Sequence, residues 1–120
     1  MKNSKINRKD ITGRTPLHNA CKWNKRAIVK YLVEHGANIN TRDNDNNTPL
    51  MIACMQGNED IVKYLVEHGA IVDTIALNLA RRMNNENILE FLREHVEKVT
   101  LERELIIECI NREGFLPFTF

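Results

Sequence analysis

Long apolar runs are missing from this 120-residue chain: the longest, Leu50–Met55, is far shorter than the roughly 20 residues a membrane helix requires. The opening Met1-Lys2-Asn3-Ser4-Lys5 also lacks the apolar segment of a secretory signal. Cysteine is scarce. Cys21, Cys54 and Cys109 cannot all pair with one another and form neither a C-x-x-C motif nor a Cys/His cluster, which argues against a disulfide scaffold and against a zinc site. The expected protein therefore has no membrane segment, no metal and no cofactor, and works in the cytoplasm or the nucleus. Glycine is thinly spread, as Gly13, Gly36, Gly57, Gly69 and Gly114, so no glycine-rich loop is available to cradle a phosphate.

What is present suits one packed domain. Hydrophobic residues make up 42% of the chain and charged residues 28%, too apolar for a disordered tail. The near-neutral net charge of +1 hides a strong polarity. Residues 1–42 hold ten Lys/Arg against two acids, whereas the remainder hold seven against fourteen. Such lopsidedness acts on association more than on folding.

Self-similarity decides the architecture. Ile28 to Ala37 reads I-V-K-Y-L-V-E-H-G-A, and Ile61 to Ala70 repeats it letter for letter at an offset of 33. At the same offset Thr15-Pro16-Leu17 meets Thr48-Pro49-Leu50, Ala20-Cys21 meets Ala53-Cys54, and Asp10 meets Asp43. Each Thr-Pro pair starts a helix: the threonine oxygen accepts a backbone N–H, and proline in the first turn loses nothing by lacking one. That helix ends near Asn24 or Gly57, residue types that tolerate a left-handed turn. Ile28/Leu32 and Ile61/Leu65 then line the apolar face of a second helix, closed by Gly36 or Gly69. A short extended finger follows around Ile39-Asn40 and Asp43 to Asn47, and Ile6-Asn7 sits on the same strand position one period earlier. A two-helix unit has no second layer of its own, so neighbouring copies must bury one another.

With Thr15-Pro16-Leu17-His18-Asn19-Ala20 matching T-P-L-H-x-A, the chain resembles the ankyrin repeat. The expected fold is all-α: a helix-turn-helix ankyrin solenoid with short β-hairpin fingers, about three repeats plus a C-terminal helical cap. The parts are residues 1–9 as a lead-in or the end of an upstream finger, 10–42 as repeat 1, 43–74 as repeat 2, 75–97 as a degenerate repeat 3, and 98–120 as a capping helix and tail. Repeat 3 is short because Ala80 follows Ala53 by 27 residues, so its finger is shortened or absent, with Thr74 as a helix cap. Val96 replaces the helix-ending glycine, so a helix begun near Glu86 runs on through Glu97 and joins or abuts Leu101–Arg112. The apolar end, Phe115 to Phe120, either packs back on the cap or belongs to a longer chain.

Catalysis finds no support in the residues, and the expected protein is not an enzyme. His35, His68 and His95 occupy one repeat position, each after a glutamate at a helix C-terminus, and read as surface decoration. Cys21 and Cys54 read as buried, inert fillers. Asp43/Asp45 belong to a finger tip and the glutamates of 102–108 to a solvated helix face, and the D-x-D there lacks the glycine and terminal glutamate of a calcium loop. For His18 the resemblance implies a hydrogen bond tying the helix start to the adjacent finger; Met51 stands in its place in repeat 2, so the junction between repeats 2 and 3 should be softer.

The resemblance implies a protein-protein interaction module, an adaptor or scaffold that binds on the concave side of the solenoid. Positions that vary between copies mark that side: Arg14, Lys22 and Trp23; Arg42, Asn44, Asp45, Asn47, Met55 and Gln56; Arg82 and Met83. Trp23, Met55 and Met83 are expected to line a groove bordered by Arg14, Lys22, Arg42 and Arg82, which suits an apolar protein segment flanked by Asp, Glu or phosphate. The competing readings are nucleic-acid or acidic-surface binding through Lys2, Lys5, Arg8 and Lys9, and a fragment of a larger repeat protein. The first offers attraction without aromatic base-stacking. Asn40, after Ile39, partly resembles the asparagine-hydroxylation site of ankyrin repeats. A monomer is expected.

Overall fold

The computed structural model describes residues 5–113, with the side chain of Glu113 excepted, so the expectations for Phe115–Phe120 and for Lys2 lie outside the described residues. Lys5 and Ile6 are helical, and six helices follow: α1 Pro16–Lys22, α2 Arg26–Glu34, α3 Pro49–Gln56, α4 Glu59–Glu67, α5 Thr74–Arg82 and α6 Glu86–Glu113. The helices α1, α3 and α5 pack side by side as one row, and α2, α4 and α6 as a second row. Each member of one row also packs on its successor in the other, so three helix pairs stack into a solenoid.

Local chemistry starts and stops the helices. Thr15 and Thr48 are N-caps whose hydroxyl oxygens accept from the N–H groups of His18 and Met51, with Pro16 and Pro49 in first position. Repeat 3 departs from the expectation. Its cap is Asp73, whose carboxylate accepts from Ala76 N–H at 3.0 Å, and Thr74 is the first helical residue. A carboxylate is at least as good a cap as a hydroxyl, and it lies one residue earlier. Asn24, Gly57 and Asn84 all adopt left-handed φ after the inner helix. The same bond closes all three turns: the N–H of Lys25, Asn58 and Asn85 donates to the carbonyl of Ala20, Ala53 and Ala80.

One core runs through the stack, containing Leu17, Leu32, Leu50, Leu65, Ala80 and Leu92. Ile28 is an exception to the expected apolar face: it is half exposed, while its equivalents Ile61 and Ile88 are fully buried. Among the described helices α2 packs in its row on α4 alone, whereas Ile61 lies on α4 between two outer helices. Ile6 also differs from its expected strand position; it is helical and packs on the core.

The fingers are loops closed by carboxylates, not β-hairpins; no strand occurs among the described residues. Asp10 Oδ1 accepts from the N–H of Thr12 and Arg14, and Asp43 Oδ1 accepts from those of Asp45 and Asn47. These side-chain bonds, with Asp10 N–H to Arg14 O and Asp43 N–H to Asn47 O, close each turn within five residues, and among the described residues no second backbone pair extends either turn into a ladder. Adjacent fingers are joined by Asn44, whose N–H donates to Thr12 O at 2.9 Å and whose side-chain amide donates to Ile11 O at 3.0 Å. Repeat 3 has no finger, and the chain passes from Ala70 through Ile71, Val72 and Asp73 directly into α5.

Helix α6 is continuous from Glu86 to Glu113 and, at about 1.5 Å per residue, roughly 42 Å long. Its first turns bury Ile88 and Leu92. From Glu97 onward all side chains to Arg112 are exposed except Ile110, which is half-buried. The expected capping helix is thus the distal part of an outer helix and overhangs the stack.

His18 and Met51 show what a finger contributes. The buried His18 accepts at Nδ1 from Thr15 N–H and donates from Nε2 to Asn47 O at 2.9 Å, across to the next finger. Met51 is equally buried but has no following finger. Installing the family-like histidine there, Met51→His, is expected to destabilise the protein by about 1–3 kcal/mol, because a buried ring nitrogen gains no carbonyl partner. An unchanged urea midpoint would contradict this reading.

Candidate partner-binding surface

The predicted surface residues divide into two groups by what they touch. Arg14 Nε lies 3.4 Å from Asp43 Oδ2, whose side chain is only 1% exposed. Arg42 donates from Nη1 to Asn46 O at 3.0 Å and sits 3.7 Å from Asp73 through Nη2. Asn44 bridges the two fingers, and the backbone of Asn47 is engaged at both ends, donating to Asp43 and accepting from His18. These four residues hold the scaffold together. Asp45 is exposed at the finger tip.

The second group stands at the C-terminal ends of the inner helices, where stacking brings equivalent positions alongside one another. One row is Lys22, Met55 and Arg82; the next is Trp23, Gln56 and Met83. Trp23 is 65% exposed and Met83 51%, whereas Met55 is half-buried and packs on the core. Lys22 Nζ lies 5.1 Å from the Trp23 ring centroid, a cation–π contact that steadies the indole. Trp23 and Met83 therefore share a row with Gln56 between them, and Met55 flanks that row.

A cleft of about 280 Å³ opens beside repeat 1, lined by Lys5, Arg8, Lys9, Asp10, Arg14, Pro16 and Asn19. Four cations face one carboxylate there. The cluster depends on the first finger folding back toward α1, which places Arg14 beside residues 5–9; the excess of basic residues was the only signal for it in the sequence. Ile11 at the tip of this finger is 97% exposed, an apolar group that repeat matching did not single out.

Several of the remaining polar and thiol groups are held locally. Burial pushes the Cys21 and Cys54 thiols up to about 12, far from the thiolate range needed for nucleophilic work. His35 and His68 donate to the Tyr31 and Tyr64 carbonyls of their own helices and stack on those tyrosine rings at 3.9 and 4.0 Å. Asn40 clamps neighbouring loops: its amide donates to Gly69 O and its carbonyl accepts from Ile71 N–H. Asn7 does the same for Asn38 N–H one period earlier, a second interrepeat clamp. Among the described residues, no group of three His, Cys, Asp or Glu side chains converges as a metal site would. No described helix is long and apolar enough to cross a membrane.

Burial also depresses the pKa of His18 below its ordinary 6.5, more than the Asn47 hydrogen bond and the Asp43 charge raise it. The unfolded chain then binds a proton that the folded one refuses. Stability from this group is full above about pH 6.5 and is lost as pH falls through the folded value. His18→Gln is expected to flatten the acid-side fall in urea midpoint between about pH 7 and pH 5. An identical fall in both proteins would refute this assignment.

The stacked helix pairs, Thr-Pro starts and carboxylate-closed fingers define a class: a repeat solenoid whose inner row exposes Trp23 and Met83. The family model for ankyrin repeats matches residues 1–76 and 41–103 in three copies, and the chain belongs to the ankyrin-repeat family. No curated protein matches the sequence. Ankyrin repeats are in general protein-protein interaction modules and not catalytic domains.

Proposed function

We propose that the protein is a non-enzymatic adaptor or scaffold module that binds a protein segment along the inner helix row. The observation that carries this reading is the exposure of Trp23 and Met83 at equivalent positions of one inner row, with Lys22 and Arg82 at the positions beside them. Tryptophan, methionine and arginine are the residues enriched at interface centres. Lys22 and Arg82 flank the anchors, and the basic cleft at Lys5, Arg8 and Lys9 lies toward the first repeat. The ligand is an apolar segment flanked by Asp, Glu or phosphate, with its more acidic end at repeat 1. Its charges would raise the association rate, while the buried anchors set the lifetime. Two thiols sealed in the core and a third free thiol fit a reducing compartment such as the cytoplasm or nucleus.

Selection of peptides from a displayed library tests the reading. The enriched sequences are expected to combine apolar residues with Asp or Glu. Trp23→Ala is expected to bind them about tenfold or more weakly while its thermal transition is unchanged, since the indole is exposed. Equal affinity in a folded Trp23→Ala, Met83→Ala double variant would remove this surface from consideration.

A further inference from the structure

The turn at residues 5–9 is fixed to the stack by two of its residues and carries cations on the other three. Ile6 packs on the core, and Asn7 accepts from Asn38 N–H at 2.8 Å. Arg8 N–H closes the turn on Lys5 O, and Lys9 Nζ donates to Arg42 O at 3.3 Å, with two further donors on the ammonium. Among the described residues, Lys5, Arg8 and Lys9 form no ion pair.

Together with Arg14 these cations line the cleft of about 280 Å³. Arg14 is positioned by the sealed Asp43 carboxylate, which accepts from Nε, while neither Nη group has a partner among the described residues. A guanidinium oriented through one edge has its other N–H donors ready for an anion. The cleft also breaks the repeat pattern: Asn19 lines it where repeats 2 and 3 have Ile52 and Leu79, both packed on the core. Asn19 is half-buried, and its side-chain amide makes no hydrogen bond among the described residues. An amide at an aliphatic position forfeits packing and supplies a donor.

The charges select the ligand. Asp10 in the lining, whose Oδ1 accepts from Thr12 and Arg14, and Asp43 beside Arg14 offset two of the four cations. A phosphate monoester carries about 1.5–2 negative charges at pH 7 and three acceptor oxygens, so it matches the remainder, as a single carboxylate does not. The volume falls just below the roughly 300–1,000 Å³ of small-molecule pockets, which suits one phosphorylated side chain. No aromatic residue lines the cleft to stack a base, which disfavours nucleic acid.

We propose that this cleft binds the phosphate group of a phosphorylated side chain in a partner protein. That the partner is a protein rests on the reading of the chain as an adaptor; the site itself uses neither Trp23 nor Met83. Arg8 and Arg14 supply paired N–H donors to the phosphate oxygens, and Lys5, Lys9 and the Asn19 amide supply single ones.

Fluorescence anisotropy of the full chain with labelled random peptides built around a central phosphoserine tests this, beside matched pools built around serine or glutamate. The phosphoserine pool is expected to bind about tenfold or more tightly than either. The Lys5→Ala, Arg8→Ala double variant, changed at exposed positions, is expected to lose that preference with its thermal transition unchanged. Lys25→Ala removes an exposed cation outside the cleft and is expected to keep it. Equal binding of the three pools overturns the proposal, as does a loss in Lys25→Ala as large as in the double variant, which would mean unspecific attraction. Tighter binding of a mixed-sequence oligonucleotide, lost in the same double variant, assigns the cleft to nucleic acid and overturns it too. Library peptides captured in a Trp23-dependent way without phosphate preference leave the inner-row reading standing and refute this one. Phosphate preference together with library binding indifferent to Trp23→Ala and Met83→Ala does the reverse.

Discussion

Leu65→Ala is expected to lower the stability of the protein by about 2–5 kcal/mol, seen as a fall in urea midpoint with little change in slope. Leu65 is fully buried in α4, the middle helix of the outer row, which packs on α2, α3 and α6. In a stacked array the stability of each unit includes its interfaces with both neighbours, so a cavity in the middle unit weakens two junctions. Ile28→Ala removes a similar number of carbons but is expected to cost under about 1 kcal/mol, because Ile28 is half exposed and leaves no cavity. Equal losses at the two positions would contradict a single continuous seam.

Asp43→Ala is the second large effect, expected at about 2–4 kcal/mol. The side chain is sealed inside the finger, where it accepts two backbone N–H groups and faces Arg14. Removing it leaves the buried-side donors of Asp45 and Asn47 and one guanidinium without a partner; a bond to a charged group is worth about 1.5–3 kcal/mol. The Arg14 share is discounted, since its side chain is 24% exposed and solvent screens it. Asn47 is also the residue whose carbonyl accepts from His18, so a loosened finger withdraws the link between repeats 1 and 2. Asp43→Asn keeps an acceptor oxygen and is expected to retain most of the stability. The equivalent Asp10 is exposed, and Asp10→Ala is expected to have a much smaller effect. Matching thermal shifts for Asp10→Ala and Asp43→Ala would show that burial of the carboxylate does not matter.

Much of the architecture was legible because it is written in local chemistry. Thr15-Pro16 and Thr48-Pro49 carry their own helix starts, and Asn24 and Gly57 their own left-handed stops. The absence of glycine at Val96 was enough to indicate that α6 runs on. Asn84 could have been found by carrying the Gly57 position forward by 27 residues, the spacing that relates Ala53 to Ala80. The candidate surface was less legible. Arg14, Arg42, Asn44 and Asn47 vary between copies as ligand-facing residues would, yet they hold fingers together. Variation between repeats also arises where a residue matches one particular neighbour, and a linear sequence does not distinguish the two causes.

From its residues alone this chain is committed to helix pairs of 33-residue period, to a third pair lacking its finger, and to a basic front half with an acidic rear. Those properties depend on caps, turns and composition, which act over a few residues. Contacts across the stack decided the rest: that Met51 is sealed in while Ile28 is half exposed, that Asp43 is buried where Asp10 is open, that two arginines are engaged, and that the apolar stripe of α6 outruns its support. Burial depends on which repeat lies alongside, and an end repeat has a neighbour on one side only.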